Sequence, residues 1–398
     1  MNASTSKTRR DLLKLAGLFS LGGALPLLSS FSQRVHAEPN APLRIGYLPI
    51  TDATPLLVAH NNGYFEEAGV VAEKPVMVRS WAQLIESFLA GQVNVVHLLT
   101  PMTIWGRYGS QAPAKVVAWN HMSGSAITVG HDIQSVQDLG GKTVAVPFWY
   151  SIHNVMLQHL LRANGLKPVT RRRGKLADDE VALVIMAPAD MPPALVSQRI
   201  AGFTVAEPFN AAAETLGAGR ILRFTGDMWR EHACCVTFMH EHDLENRPEW
   251  SQGVVDALVK AQLWTLENRD ETARILSSEG ANRYTPHSYE NLVKVLNPAP
   301  EARQAYIDSG AIQHPDWNDK RIDFQPYPFP SYTEELVKLL QNTQIDADRG
   351  FLDALDPAWV AQDLVDDRFV KAAIDKIGGL QRFGLENNRY TRNESIQA

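Results

Sequence analysis

Apolar and polar positions follow two rhythms along this chain. Short β-branched runs at 43–48, 76–78, 93–99, 115–119, 126–129 and 143–146 predict strands. Between them, apolar residues recur every third or fourth position, which predicts helices. The clearest helix opens on Ser80-Trp81-Ala82-Gln83, a Ser-x-x-Gln capping box, and carries Trp81, Leu84, Ile85, Phe88 and Leu89 on one face. Gly91 closes it. Further strands are expected at 181–186, 203–206, 221–224 and 235–238, with helices at 55–61, after Thr100, from Ser151 to Gly165 and at 192–199. Beyond about residue 247 the pattern is mostly helical, at 254–266, 271–277, 288–295 and 332–342. Strands alternating with helices predict an α/β chain whose sheets run largely parallel, with helices on both faces. Two lobes divide it naturally: 42–128 plus 235–398, and 129–234.

The first 37 residues break the rhythm. Lys7, Arg9, Arg10 and Lys14 precede an apolar run of 14 positions, 15–28, and Val35-His36-Ala37 fits a small-x-small cleavage pattern. The run is shorter than the roughly 20 residues that span a bilayer. Thr8-Arg9-Arg10-Asp11-Leu12-Leu13-Lys14 resembles a twin-arginine export signal. With no Cys near the cleavage position, no lipid anchor is expected there, and the mature chain from Glu38 is expected to be soluble in the periplasm. Removing the segment leaves 33 basic against 43 acidic residues, a net of −10 compared with −6 for the whole chain. That balance argues against nucleic acid, whose phosphates call for clustered Lys and Arg. With 45% apolar and 21% charged residues, the chain has ample material for a core, which excludes disordered, collagen-like and coiled-coil classes.

Candidate chemistry lies in the loops that follow strands, where helix N-termini offer free N–H groups to an anion. These loops hold Asp52, Ser80-Trp81, Thr100, Asn120 to Ser125, Phe148-Trp149-Tyr150-Ser151 and Glu207-Pro208. Each has a plainer reading: Ser80 and Ser151 as helix caps, Trp81 as core, His153 as a solvent-exposed or hydrogen-bonded group and Glu207 as a solvated strand end. Three consecutive aromatics after Pro147 cannot all point inward. His240-Glu241-His242-Asp243 reads as a solvated run rather than a metal site. Cys234-Cys235, beside His232, offers a nucleophile, but reads first as two small apolar strand residues. Adjacent Cα atoms stand about 3.8 Å apart, too close for a relaxed disulfide. No cofactor and no metal are expected.

Several segments together resemble one family. Gly46-Tyr47-Leu48-Pro49-Ile50, Pro55-Leu56-Leu57-Val58-Ala59 and Gly63-Tyr64-Phe65 look like its opening. Asp138-Leu139-Gly140-Gly141-Lys142-Thr143-Val144-Ala145-Val146 is similar to its entry to the second lobe. Met191-Pro192-Pro193-Ala194-Leu195 and Ala206-Glu207-Pro208-Phe209-Asn210 resemble its return to the cleft. The family is that of periplasmic solute-binding proteins of ABC importers for nitrate, sulfonate, taurine and bicarbonate. The resemblance implies a two-lobed periplasmic binding protein fold of type II, each lobe a mixed sheet flanked by helices. It implies a monomer that is not an enzyme, binds a small molecule in the cleft and docks on an inner-membrane ABC permease. Family contacts carried onto this chain fall on Asp52, Trp81, Thr100, Ser125, Tyr150, Ser151, His153 and Glu207, with Trp149 added from the same aromatic run. The chain departs from the nitrate and bicarbonate branch where His232 is followed by Ala233-Cys234-Cys235 instead of a basic residue. Few cations and many rings favour a small organic anion, a sulfonate first, then a pyrimidine precursor, then nitrate or bicarbonate. The alternatives are a desulfinase-like enzyme with a Cys nucleophile and a periplasmic sensor partner.

Overall fold

The computed structural model describes residues 41–170, 174–317, 320–385 and 389–397. The expected signal segment, 1–37, lies outside them. In chain order the strands are β1 (Ile45–Tyr47), β2 (Val76–Met77), β3 (Val95–Leu99), β4 (Ala114–Trp119), β5 (Met122–Ser123), β6 (Ser125–Val129) and β7 (Thr143–Val146). They continue with β8 (Lys167–Val169), β9 (Glu180–Ile185), β10 (Gly202–Ala206), β11 (Arg220–Phe224), β12 (Cys235–His240) and β13 (Ile322–Asp323).

Two sheets organise the chain. The first has the order β2-β1-β3-β12-β4, and the second β11-β6-β10-β7-β9-β8. Both are mixed. β12 runs antiparallel to β3 and β4, and β6 runs antiparallel to β10 and β11. These strands depart from the parallel expectation for one reason: each enters its sheet straight from a crossing between lobes, without the helical crossover that parallel pairing needs. The chain crosses at 120–124 and again at 225–234. The boundary expected after residue 128 falls earlier, because Ser125–Val129 pairs wholly within the second sheet. A small ladder of β13 with β5 lays the C-terminal region across the first crossing.

Local sequence explains how the elements start. Ser80 Oγ accepts from the Gln83 amide at 3.2 Å, and the helix Trp81–Leu89 buries Trp81, Leu84, Ile85 and Phe88. The Gln83 side chain accepts from the Arg79 amide, one residue beyond the Ser80 amide that a capping box would use. Ser151 caps the helix Ile152–Ala163 in the same way, accepting from the Asn154 amide at 3.1 Å. The C-terminal helices Pro330–Gln341, Pro357–Asp363 and Arg368–Lys376 complete the first lobe's cover. Among the described residues, no helix is long and apolar enough to cross a membrane.

Candidate functional site

The seam between the lobes collects buried polar groups from both. Asp52 lies on the one-turn 3-10 helix Thr51–Ala53 that follows β1. His121 stands on the first crossing, and Ser125 opens β6. His153 lies in the first turn of the helix that Ser151 caps. Cys234 ends the second crossing and Cys235 opens β12. All six residues are essentially without solvent exposure.

These groups are in contact. His121 Nε2 is 3.0 Å from Asp52 Oδ2. Ser125 Oγ is 2.9 Å from His153 Nε2. Cys234 Sγ lies 3.8 Å from both Ser125 Oγ and His153 Nε2. One donor atom from each of Asp52, His121, Cys234 and Cys235 falls within 4.8 Å of the others. Both thiols are free. Backbone bonds hold the frame: the Thr100 amide and hydroxyl both donate to the Cys234 carbonyl, at 2.9 and 3.0 Å. The Asn120 amide donates to the Cys235 carbonyl at 3.1 Å. Gly124 sits at φ +78°, and a Cβ there would stand 3.0 Å from His121 Nδ1, so only glycine lets the imidazole lie against this turn.

Electrostatics follow from burial and proximity. Burial pushes Asp52 up to about 6, against the pull of His121. Burial alone would lower His121, but the Asp52 carboxylate and Cys234 outweigh it and push it up to about 10. For the coupled thiols, burial raises both. A hydrogen bond from Cys235 and the nearby His153 and His121 outweigh this at Cys234, which falls well below the usual thiol range. Cys235 rises well above it, kept protonated by burial and by its neighbour's negative charge. His97, whose Nε2 accepts from the Leu48 amide at 2.8 Å, is buried and lowered to about 3.

The remaining expected site residues are placed as follows. Glu207 is fully buried, but its Oε1 is met by Arg321 Nε at 2.5 Å. Arg321 also pairs with Glu214 at 3.0 Å and donates to Tyr306 Oη at 2.8 Å. Thr51, next to Asp52, bonds the Glu207 carbonyl through its amide and its hydroxyl. Trp81 is buried and tilted on His97 at 5.4 Å, and its indole Nε1 meets no hydrogen-bond partner among the described residues. Tyr150 is buried, donates to the Asp348 carbonyl at 3.1 Å and packs near Trp105 and Phe351. Trp149 is half-buried against the core. Ser151 is committed as a cap that also donates to the Phe148 carbonyl at 2.7 Å. Asp52, Thr100, Ser125, His153 and Glu207 therefore gather at the seam, whereas Tyr150 and Ser151 are engaged in the surrounding framework.

Sequence reasoning passed over His121 and Arg321 and read the Cys pair as apolar filler. The expected partner of the thiols, His232, turns instead to Thr225 Oγ1 at 2.9 Å. Within 240–243, His240 stacks on Phe88 at 3.9 Å, Glu241 pairs with Arg107 and Asp243 pairs with Arg247. A cavity of about 50 Å³ lies beside the seam, bounded among others by Ser125, Phe224, Tyr306 and Arg321, with room for a few water-sized atoms.

A model described as the NMT1-like family matches residues 36–277. The "Nitrate/nitrite binding protein NrtA" of Nostoc is 25% identical over 257 residues, 59% of this chain and 56% of that protein. The chain thus matches just over half the length of that relative. The crystal structure of the periplasmic nitrate-binding protein NrtA from Synechocystis superposes with a TM-score of 0.70 at 19% identity, covering 89% of this chain and 93% of that one. The periplasmic aliphatic sulphonate-binding protein SsuA from Escherichia coli gives 0.55 at 18% identity, covering 82% and 91%. These two structures share the fold of this chain.

Proposed function

The chain belongs to the NMT1-like family, and from that premise we propose that it is the exported solute-capturing component of an ABC importer. The two lobes close on a small molecule at the seam and hand it unchanged to an inner-membrane permease. One observation carries this reading: a fully buried polar set, Asp52, His121, Cys234, Ser125 and His153, is drawn from both lobes and both crossings. Burying such groups without a partner is costly. A solute that bridges the lobes therefore favours the closed state and shifts the population toward it. Names of relatives and neighbours point to nitrate, bicarbonate and sulfonate as the solute class.

The solute is a small molecule, a small organic anion in the leading case. A sulfonate leads on the aromatic content around the site, where Trp81 has a buried indole N–H without a partner among the described residues and Trp149 is partly exposed, while Tyr150 is committed to its bond with Asp348. Nitrate, bicarbonate and a pyrimidine precursor complete the candidate set. The mature chain acts as a monomer in the periplasm.

The test is a thermal-shift series on the chain from residue 38 with sulfonates, taurine, nitrate, bicarbonate and pyrimidines. Small-angle scattering then checks closure. A true solute at 100 times its dissociation constant adds about 2.7 kcal/mol of stability. No shift with any of them would count against the reading.

A second reading has its own support. Cys234 Sγ lies beside His153 Nε2 at 3.8 Å, an arrangement suited to an activated nucleophile on an enzyme of the same fold. Mass spectrometry of the released solute separates the two readings: a capture protein returns it unaltered, whereas an enzyme releases a changed product.

A further inference from the structure

We infer that Asp52, His121, Cys234 and Cys235 form a binding site for one thiophilic divalent cation, of the zinc type. Their four donor atoms lie within 4.8 Å of one another, and all four side chains are buried. Around a four-coordinate zinc with bonds of about 2.0–2.3 Å, donor atoms stand about 3.3–3.8 Å apart. Seating an ion therefore takes movements of about 1 Å or less. Two sulfurs, one imidazole nitrogen and one carboxylate oxygen make a donor set that selects zinc-like ions over magnesium or calcium, which want oxygen alone.

Two features that meet at the Asp52–His121 contact point to a positive centre there. Neither Asp52 oxygen accepts a hydrogen bond of good geometry, although the residue is fully buried. Groups so placed are rare and call for an explanation. His121 Nε2 also faces two opposed demands. The Cys235 amide donates toward it at 3.3 Å, which requires a lone pair, while Asp52 Oδ2 stands at 3.0 Å, which requires a proton. No single placement of that proton satisfies both. A cation at the centre of the four groups gives the carboxylate and the imidazole lone pair the same partner.

The backbone explains how adjacent cysteines reach one point. In an extended strand, consecutive side chains point to opposite faces. Here Cys234 sits in a bend immediately before β12 begins, so the alternation is broken at that residue. Gly124 fixes the His121 ring from behind. Ser125 and His153, 3.8 Å from Cys234 Sγ, supply the outer partners that a metal-bound thiolate needs. The inference takes only the location of the seam from the proposed function and does not depend on which solute the importer carries.

The test uses the chain from residue 38, kept reduced, stripped with a chelator and titrated with cobalt(II). One equivalent is expected to produce a thiolate-to-cobalt charge-transfer band and the intense visible bands of four-coordinate cobalt. One equivalent of zinc should erase both. Cys234→Ser, Cys235→Ser and Asp52→Asn should each weaken zinc binding by at least about 100-fold, the upper end for loss of an outer partner alone. His131→Ala, at an exposed histidine, should leave it unchanged. Circular dichroism checks that each variant folds, and the wild-type cobalt spectrum stands even where one does not. Absence of the charge-transfer band, or its survival in both Cys variants, overturns the site. A sulfonate or nitrate shift on metal-free protein that gives no cobalt band would sink the metal site while leaving solute capture intact. A cobalt band without any solute shift would support the site and count against the proposed solute class.

Discussion

Replacing Arg321 by methionine would strand a carboxylate at the base of the seam. Glu207 is fully buried, and its Oε1 is held by Arg321 Nε at 2.5 Å. Without the guanidinium, the donor left near it is the Ala211 amide, 3.2 Å from Oε2. Glu214, the other carboxylate on Arg321, keeps some solvent contact and loses less. Breaking a buried pair by removing one partner costs about 3–5 kcal/mol. The stranded charge has a ceiling, however, because Glu207 can take up a proton. For a carboxyl of ordinary affinity near 4.3, protonation at pH 7 costs about 3.7 kcal/mol, and at pH 5 about 1. The expected loss in Arg321→Met is therefore about 3–4 kcal/mol at pH 7, shrinking by about 2–3 kcal/mol at pH 5. The direction follows from Glu207 already being pushed up by burial even with Arg321 in place. Arg321→Met with Glu207→Gln should recover most of the loss at pH 7. Denaturant unfolding followed by both circular dichroism and tryptophan fluorescence measures these values. A loss below about 1 kcal/mol, or one independent of pH, would mean that water reaches Glu207 and the pair is not the anchor described.

Four shorter expectations follow from the same geometry. His240 is buried on Phe88, and burial lowers it to about 4, so it must gain a proton on unfolding once the pH falls below about 6.5. The stability advantage of wild type over His240→Gln should then narrow by about 3 kcal/mol between pH 6.5 and pH 4; a constant difference in equilibrium unfolding would refute this. Gly124→Ala places a side chain at φ +78° and against His121, so it should cost at least about 1–2 kcal/mol and weaken metal or solute binding. Unchanged thermal stability would remove the argument for glycine there. Ser151→Ala should lose about 1 kcal/mol of stability while leaving solute affinity intact, as a cap would and a solute contact would not. Tyr150→Phe should lose about 0.5–1.5 kcal/mol for the bond to Asp348, again with normal binding by calorimetry.

The elements were legible where burial imposes a period. The face Trp81, Leu84, Ile85 and Phe88 could be read because a helix one side of which meets a sheet must repeat its apolar residues. β8 and β13 escaped notice: Lys167–Val169 is a three-residue edge strand containing Pro168, and Ile322–Asp323 is two residues long, too short for any alternation. The candidate site was half legible. Asp52, Thr100, Ser125 and Glu207 stand at strand ends, where a loop reading naturally looks. His121 and the Cys pair were missed because their meaning is tertiary. Asp52, His121 and Cys234 are far apart in sequence and meet only once both crossings are formed. Tyr150 was harder to read for the opposite reason: an aromatic after a strand looks the same in sequence whether it faces a cleft or, as here, packs near Trp105 and Phe351.

The place of β12 has a consequence for how the chain can be made. It is the partner common to β3 and β4, and these two strands do not pair with each other. Until residues 235–240 leave the ribosome, the first sheet has two bare edges that nothing earlier in the chain can cover, a ready template for unwanted pairing. A fragment ending at residue 234 should therefore aggregate where the full chain stays dispersed, and adding β12 as a separate peptide should suppress it. In birth order, the lobe that begins the protein is the one that finishes last.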